Sequence, residues 1–195
     1  MALDWLIGND SPQFWKNYLS HFNIDKDRTK RYVVFDFETT GTNWKEDSII
    51  SINAIGIIDD AIIINDFLEV YIKQQSENDS ETDNLNKEKV VEAEAVIQLL
   101  NFIKNSTLVS HNTNLDIELI NQSLKRLGLG KLKNPVIDTN VLYHRWKGIT
   151  EESHTTLQEI SRALKINEDY ITATDCNIYT NALIFIKLKK LLKVS

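Results

Sequence analysis

The sequence predicts a three-layer α/β fold, with a central mixed sheet covered by helices and a short N-terminal helical extension. Three observations predict it. Tyr32 to Phe37 is an unbroken β-prone run, as a central buried strand requires. Two more strand patterns follow at Ile49–Ile58 and Ala61–Tyr71, split by the hairpin signal Asp59-Asp60. Beyond residue 90, helical periodicities alternate with short apolar strand runs, the order of a sheet layered between helices.

Taken in chain order, Asp4 to Phe22 carries Phe14, Tyr18 and Phe22 at steps of four, together with Trp5, Leu6, Trp15 and Leu19. That spacing predicts an amphipathic helix whose aromatics cover the main domain. Asp25 to Arg31 is charged and reads as a linker, so the chain divides into an extension over 1–30 and a main domain over 31–195. Gly41 to Asp47 supplies a turn after the first strand. Lys73 to Lys89 is rich in Gln, Ser, Asn, Asp and Glu, with Leu85 its only apolar residue, and reads as a mobile loop. Helices are expected over 90–103, 116–127, 138–145, 156–164 and 178–193, with a short strand over 107–110.

Bulk properties narrow the function classes. No segment approaches the roughly 20 uninterrupted apolar residues that span a bilayer, and Met1 to Asp10 has no basic leader pattern, so a soluble chain without membrane partners is expected. Cys176 is the single cysteine, which suits a reducing, cytoplasmic setting. A net charge of −6 argues against a broad basic face for nucleic acid. It leaves room for a nuclease, since divalent cations held by carboxylates can contact phosphate.

The segment Val33-Val34-Phe35-Asp36-Phe37-Glu38-Thr39-Thr40-Gly41 places two carboxylates on one face of one strand. Like charges side by side in an apolar strand are costly unless a cation joins them, and an all-oxygen pair suits Mg²⁺ or Mn²⁺.

This segment resembles the first motif of the DnaQ-like (DEDD) 3′→5′ exonuclease family, Asp-x-Glu-Thr-x-Gly at a strand end. Leu108-Val109-Ser110-His111-Asn112-Thr113-Asn114-Leu115-Asp116 resembles the second motif, Val136-Ile137-Asp138-Thr139 the later Asp-Thr strand, and Thr156-Leu157 to Ile166 the helix after it. Within the family, the likeness is to the epsilon proofreading subunit of bacterial replicative DNA polymerase and its stand-alone relatives. The resemblance implies a ribonuclease H-like fold and a two-metal hydrolysis at 3′ ends of single-stranded DNA or RNA, with a DNA polymerase subunit as a partner. It also implies that Asp36, Glu38 and Asp116 hold Mg²⁺ or Mn²⁺. Thr39, Thr40, Gly41, His111 and Asn112 fall at its substrate-binding positions, where His111 braces the strand end.

The third motif departs from the family, which has a His five positions before an Asp that opens the last helix. No His follows His154. In one register Asp175 is the remaining metal ligand and Tyr170 stands at the general-base position. In the other, favoured by Ala182 and Phe185 as marks of the helical face, Asn177 stands at the ligand position and Thr172 at that of the base. His154 reads as a surface residue near a helix start. The family's Ile-His-Gly-Ile substrate segment is also missing, with Leu85-Asn86-Lys87-Glu88 in its place. The expected function is therefore a metal-dependent 3′→5′ exonuclease with weakened activity. The alternative is a catalytically silent binding or scaffold module, and a third reading is a nucleotide or dinucleotide hydrolase on the same fold.

Overall fold

A computed structural model describes residues 11–23, 30–43, 45–74, 87–111, 113–150, 154–166 and 176–193, with the side chains of 176 and 177 excepted. The N-terminal helix α1 spans Gln13–Ser20 and runs into a 3-10 turn over His21–Asn23. Strands β1 (Arg31–Thr39), β2 (Ile49–Ile58) and β3 (Ala61–Ile72) form an antiparallel meander. Then come β4 (Lys89–Val90), α2 (Glu92–Ile103), β5 (Thr107–Ser110), α3 (Thr113–Arg126) and β6 (Val136–Asp138). Helices α4 (Thr139–Lys147), α5 (Leu157–Ala163) and α6 (Cys176–Leu192) complete the domain.

The six strands lie in the order β4-β3-β2-β1-β5-β6, with β4, β5 and β6 joined in parallel, so the sheet is mixed as expected. Alternation along β1 feeds two cores. Val33, Phe35 and Phe37 pack under α1, α2 and α3, whereas Tyr32 and Val34 pack under α4, α5 and α6. No helix is long and apolar enough to cross a membrane among the described residues.

Two expectations are refined. Arg31 belongs to β1 rather than to a linker: its Nε and Nη2 donate to the two oxygens of Asp66 at 2.9 Å each, and its Nη1 donates to Ser106 Oγ at 2.7 Å. A side chain so fully bonded is fixed, which neighbouring charges along the sequence do not reveal. Asp66 reaches Arg31 across Gly56, where any Cβ would collide with its carboxylate. The polar stretch after β3 is tied at both of its described ends, because Gln74 Nε2 donates to the Ile49 and Ile72 carbonyls at 3.0 Å and Lys89–Val90 pairs with β3. Residues 75–86, Leu85 and Asn86 included, lie outside the described residues, as do the predicted helical residues 4–10.

Helix α1 buries Trp15 and Tyr18, which are 5% and 2% exposed. The Tyr18 hydroxyl donates to Asn134 Oδ1 at 2.8 Å and accepts the Lys133 N–H at 2.7 Å. Burial pushes the Tyr18 hydroxyl up to about 12, against the pull of the backbone hydrogen bonds near Lys133 and Asn134.

Candidate active site

The Tyr32–Val34 face of β1 continues into Asp36 and Glu38, so an apolar row gives way to carboxylates at the strand's C-terminal end. The pairing with β2 shifts between Glu38 and Thr39, an irregularity of the kind that re-aims side chains beside active sites. Ser51, opposite Glu38 on β2, donates its hydroxyl to Glu38 Oε2 at 2.8 Å. The following Thr39-Thr40-Gly41 makes a braced turn. Thr39 Oγ1 donates to the Gly41 carbonyl at 2.6 Å, Thr40 Oγ1 donates to Asp47 Oδ1 at 2.9 Å, and Asp47 Oδ2 accepts the Asn43 N–H at 2.7 Å. Gly41 is needed because a Cβ would overrun the Asp47 carboxylate.

Asp116 sits in the first turn of α3 and is 6% exposed. An acid at that place suits helix capping, but the structure gives the capping work to Asp138. Asp138 Oδ2 accepts the Thr113 N–H at 3.1 Å and the Thr113 hydroxyl at 2.7 Å. Its Oδ1 accepts the N–H groups of Asn140 and Val141 at 2.8 and 3.2 Å. Asp116 turns inward and accepts the Ser110 hydroxyl at the end of β5.

Burial pushes the Asp36 carboxyl up to about 6, and the neighbouring Glu38 adds to the rise. Burial likewise lifts Asp116 to about 7, against the Ser110 hydrogen bond and with help from Asp36 and Asp138. Asp36 thus stands within electrostatic reach of both other carboxylates. Among the described residues, no group of three or more His, Cys, Asp or Glu gathers in metal-binding geometry. The donor chemistry fits a hard divalent cation all the same: every donor is a carboxylate oxygen, and two of the groups resist ionisation because they are buried and, to a smaller extent, because like charge lies beside them. A cleft of about 410 Å³ opens beside the turn, lined by Thr40, Ser48, Gln74, Glu92 and Arg126 among others. The three carboxylates lie outside its lining.

Two residues beyond the aligned pair Val34 and Val109 stand Asp36 and His111. His111 Nδ1 lies 3.2 Å from Thr139 Oγ1, which donates to Asn181 Oδ1 on α6 at 2.8 Å. His154, exposed and just ahead of α5, places its ring centroid 5.1 Å from that of His111. Thr155 latches this segment, its N–H donating to Asn140 Oδ1 at 3.0 Å and its hydroxyl meeting His144 Nε2 at 2.9 Å. The sequence carries no sign of this, because only the packing of α4 against the end of β5 brings His154 back to the site. Asn112, Tyr170, Thr172 and Asp175 lie outside the described residues, as does the side chain of Asn177. Ala182 and Phe185 on α6 are buried in the second core.

Residues 33–170 match the family model RNase T, described as exonuclease. The matched span includes Asp36, Glu38 and Asp116 and ends before Thr172, Asp175 and Asn177. The chain is similar to the PolC-type DNA polymerase III of Clostridium perfringens, with 36% identity over 113 residues, 55% of this chain and 8% of that protein. It is also similar to the PolC-type DNA polymerase III of Caldanaerobacter subterraneus, with 33% identity over 136 residues, 66% of this chain and 10% of that protein. Among solved structures, E. coli exonuclease I in complex with a dT13 oligonucleotide matches with a TM-score of 0.66 at 14% identity, covering 84% of this chain and 42% of that one. The chain therefore spans about a tenth of the polymerases it matches and less than half of exonuclease I.

Proposed function

This chain belongs to the DnaQ-like exonuclease family and has its ribonuclease H-like fold, and on that footing we propose that it removes nucleotides from the 3′ ends of single-stranded nucleic acid, slowly and with a divalent cation. The observation that carries the proposal is the buried pair Asp36 and Asp116, whose carboxyls are held up to about 6 and about 7 by burial and by like charge. Groups so perturbed, on the two family motifs, favour a catalytic over a structural role. Asp36, Glu38 and Asp116 would hold Mg²⁺ or Mn²⁺, and Asn177 or Asp175 would complete the set. Such a cation supplies charge stabilisation for the attacking and leaving oxygens of a phosphodiester.

The chain's own residues orient that site. Ser51 fixes Oε2 of Glu38 and Ser110 fixes the Asp116 carboxylate. Asp138 holds the start of α3 against the start of α4, so that Asp116 stays on the side of β5 facing β1. Thr40 and Gln74 line the adjoining cleft, where a terminal nucleotide could rest in the absence of the family's clamp segment. Solved complexes of exonuclease I hold dA16 and dT13 oligonucleotides, which supports a single-stranded DNA substrate. The PolC-type relatives support a partnership with a replicative polymerase, and the single cysteine supports a cytoplasmic setting.

The test is release of 3′-terminal nucleotides from end-labelled single strands in Mn²⁺. Slow release abolished by Asp36→Ala is expected. Losing a general base costs about 10²- to 10⁴-fold, so Thr172→His with Asn177→Asp should raise the rate, whereas Tyr170→His should do so only if Asp175 is the ligand. A wild-type rate near the enzyme median of roughly 10 s⁻¹ would refute the weakened-site reading. The absence of any His after His154 favours the scaffold reading as the second choice. No metal-dependent release from the wild type, with none gained by either repaired variant, would establish it.

A further inference from the structure

We propose that His111 and His154 form a binding site for a borderline transition-metal cation of the Zn²⁺ class, separate from the all-carboxylate pair and with different metal preference. The first observation concerns the state of His111. Thr139 Oγ1 gives its single proton to Asn181 Oδ1 at 2.8 Å, so at the 3.2 Å contact the Thr139 oxygen accepts and His111 Nδ1 donates. With the Thr139 hydroxyl directed to Asn181 and Ser110, this contact favours the tautomer in which Nε2 carries the lone pair. It is also the outer arrangement that metal-ligating histidines adopt, the second ring nitrogen donating to an oxygen that is itself hydrogen-bonded.

The second observation is that His111 Nε2 is buried and has no hydrogen-bond partner. A buried lone pair left unmatched costs free energy that a ligand would recover. The Thr155 backbone faces the ring and favours its protonated form, so a metal ion at His111 has to displace a proton there.

The third observation is the spacing of the rings. With Zn–N bonds of about 2.0–2.1 Å, each imidazole centroid stands about 3.2 Å from the ion, and two ligands at the tetrahedral angle have centroids about 5.2 Å apart. The His111 and His154 centroids are 5.1 Å apart. Imidazole donors select Zn²⁺, Co²⁺, Ni²⁺ or Cu²⁺ over Mg²⁺. Asp138, within electrostatic reach of His111, supplies compensating negative charge, and the exposure of His154 gives an entry path. His144 is excluded as a ligand because its Nε2 is taken by Thr155 Oγ1 at 2.9 Å. Two protein nitrogens leave two tetrahedral positions for water or for an oxygen of a bound phosphodiester.

The experiment is calorimetric titration of the untagged full chain with Zn²⁺ in excess Mg²⁺, repeated with Co²⁺ and read by visible absorption. One Zn²⁺ per chain is expected, with a tetrahedral Co²⁺ spectrum. His154→Ala, at an exposed position, should weaken Zn²⁺ binding at least tenfold, and Thr139→Val should weaken it by releasing the tautomer. Asp36→Ala should leave it unchanged. Equal Zn²⁺ affinity in wild type and His154→Ala, or loss of binding in Asp36→Ala instead, would overturn the proposal. Neither readout uses nuclease activity, so the outcome is independent of the exonuclease reading.

Discussion

Replacing Asp116 by Asn should stabilise the metal-free protein at pH 8 and do so far less at pH 5. The Asp116 carboxyl is held up to about 7 in the folded chain, against 3.8 for the free group. Between these values the folded state keeps a proton that the unfolded state has lost, so folding takes up a proton and stability falls as pH rises. At 1.36 kcal/mol per pH unit, the whole gap is worth about 4 kcal/mol, of which about 2.5–3 kcal/mol accrues between pH 5 and pH 8. Asn does not titrate, so the wild type should lose about that much relative to the variant over this window. The Asn amide nitrogen gains no acceptor from Ser110, which costs about 1–3 kcal/mol. That penalty sets the offset between the two curves and leaves their divergence untouched. Urea unfolding at pH 5 and pH 8 in EDTA measures both. Because Asp36 contributes to the elevation, Asp36→Asn should shrink the wild-type slope, and Mg²⁺ in excess should flatten it. Stability curves that run parallel between pH 5 and pH 8 would refute the reasoning.

Two further predictions concern the scaffold. Tyr18→Phe removes the acceptor of the Lys133 N–H and the donor to Asn134 in a buried site; about 1–3 kcal/mol should be lost and the melting temperature should drop by several degrees, whereas an unchanged value would show that water replaces the hydroxyl. Gly56→Ala drives a Cβ into Asp66 and so breaks its fork with Arg31; a loss of about 1–3 kcal/mol is expected by chemical denaturation, and an unaltered midpoint would show that the β2–β3 pairing, whose register shifts between Ile55 and Gly56, yields freely.

What the sequence could reveal was set by the range of the interactions involved. β2 and β5 were legible residue for residue, because their signals are local: alternation, β-branched runs and the Asp59-Asp60 turn. β4 was not, since two residues of polar-flanked strand carry no period and form only because β3 offers an edge. Asp36 and Glu38 could be read as a same-face pair on one strand, whereas Asp116 was marked only by the resemblance of its segment to the family's second motif. The role of Asp138 as the double cap of α3 and α4 was hidden, since it depends on Thr113 being carried to the end of β6. His154 was hidden for the same reason: nothing within its own segment marks a partner on β5. Long-range polar contacts follow from packing, which no local pattern encodes.

If the proposed function holds, an acidic chain and a polyanion must be brought together mainly through the cation, and this gives a prediction in ionic strength. The net charge is −6, and Arg126, the guanidinium lining the cleft, is already bonded to Glu92 and Ser123. Each lysine or arginine that neutralises a phosphate on a single strand contributes about −0.7 to the slope of log affinity against log salt. A site that relies on bound cations and on few basic side chains should give a slope shallower than about −2, equivalent to three contacts or fewer. Fluorescence anisotropy of a labelled oligothymidylate in 50–200 mM NaCl, with Ca²⁺ in place of Mg²⁺ to suppress hydrolysis, measures it. Removing the divalent cation should abolish binding, and Asp36→Ala should do the same. A slope near −4 or steeper that survives in EDTA would mean that a basic track outside the carboxylate site carries the strand, and the cation-first account would fall.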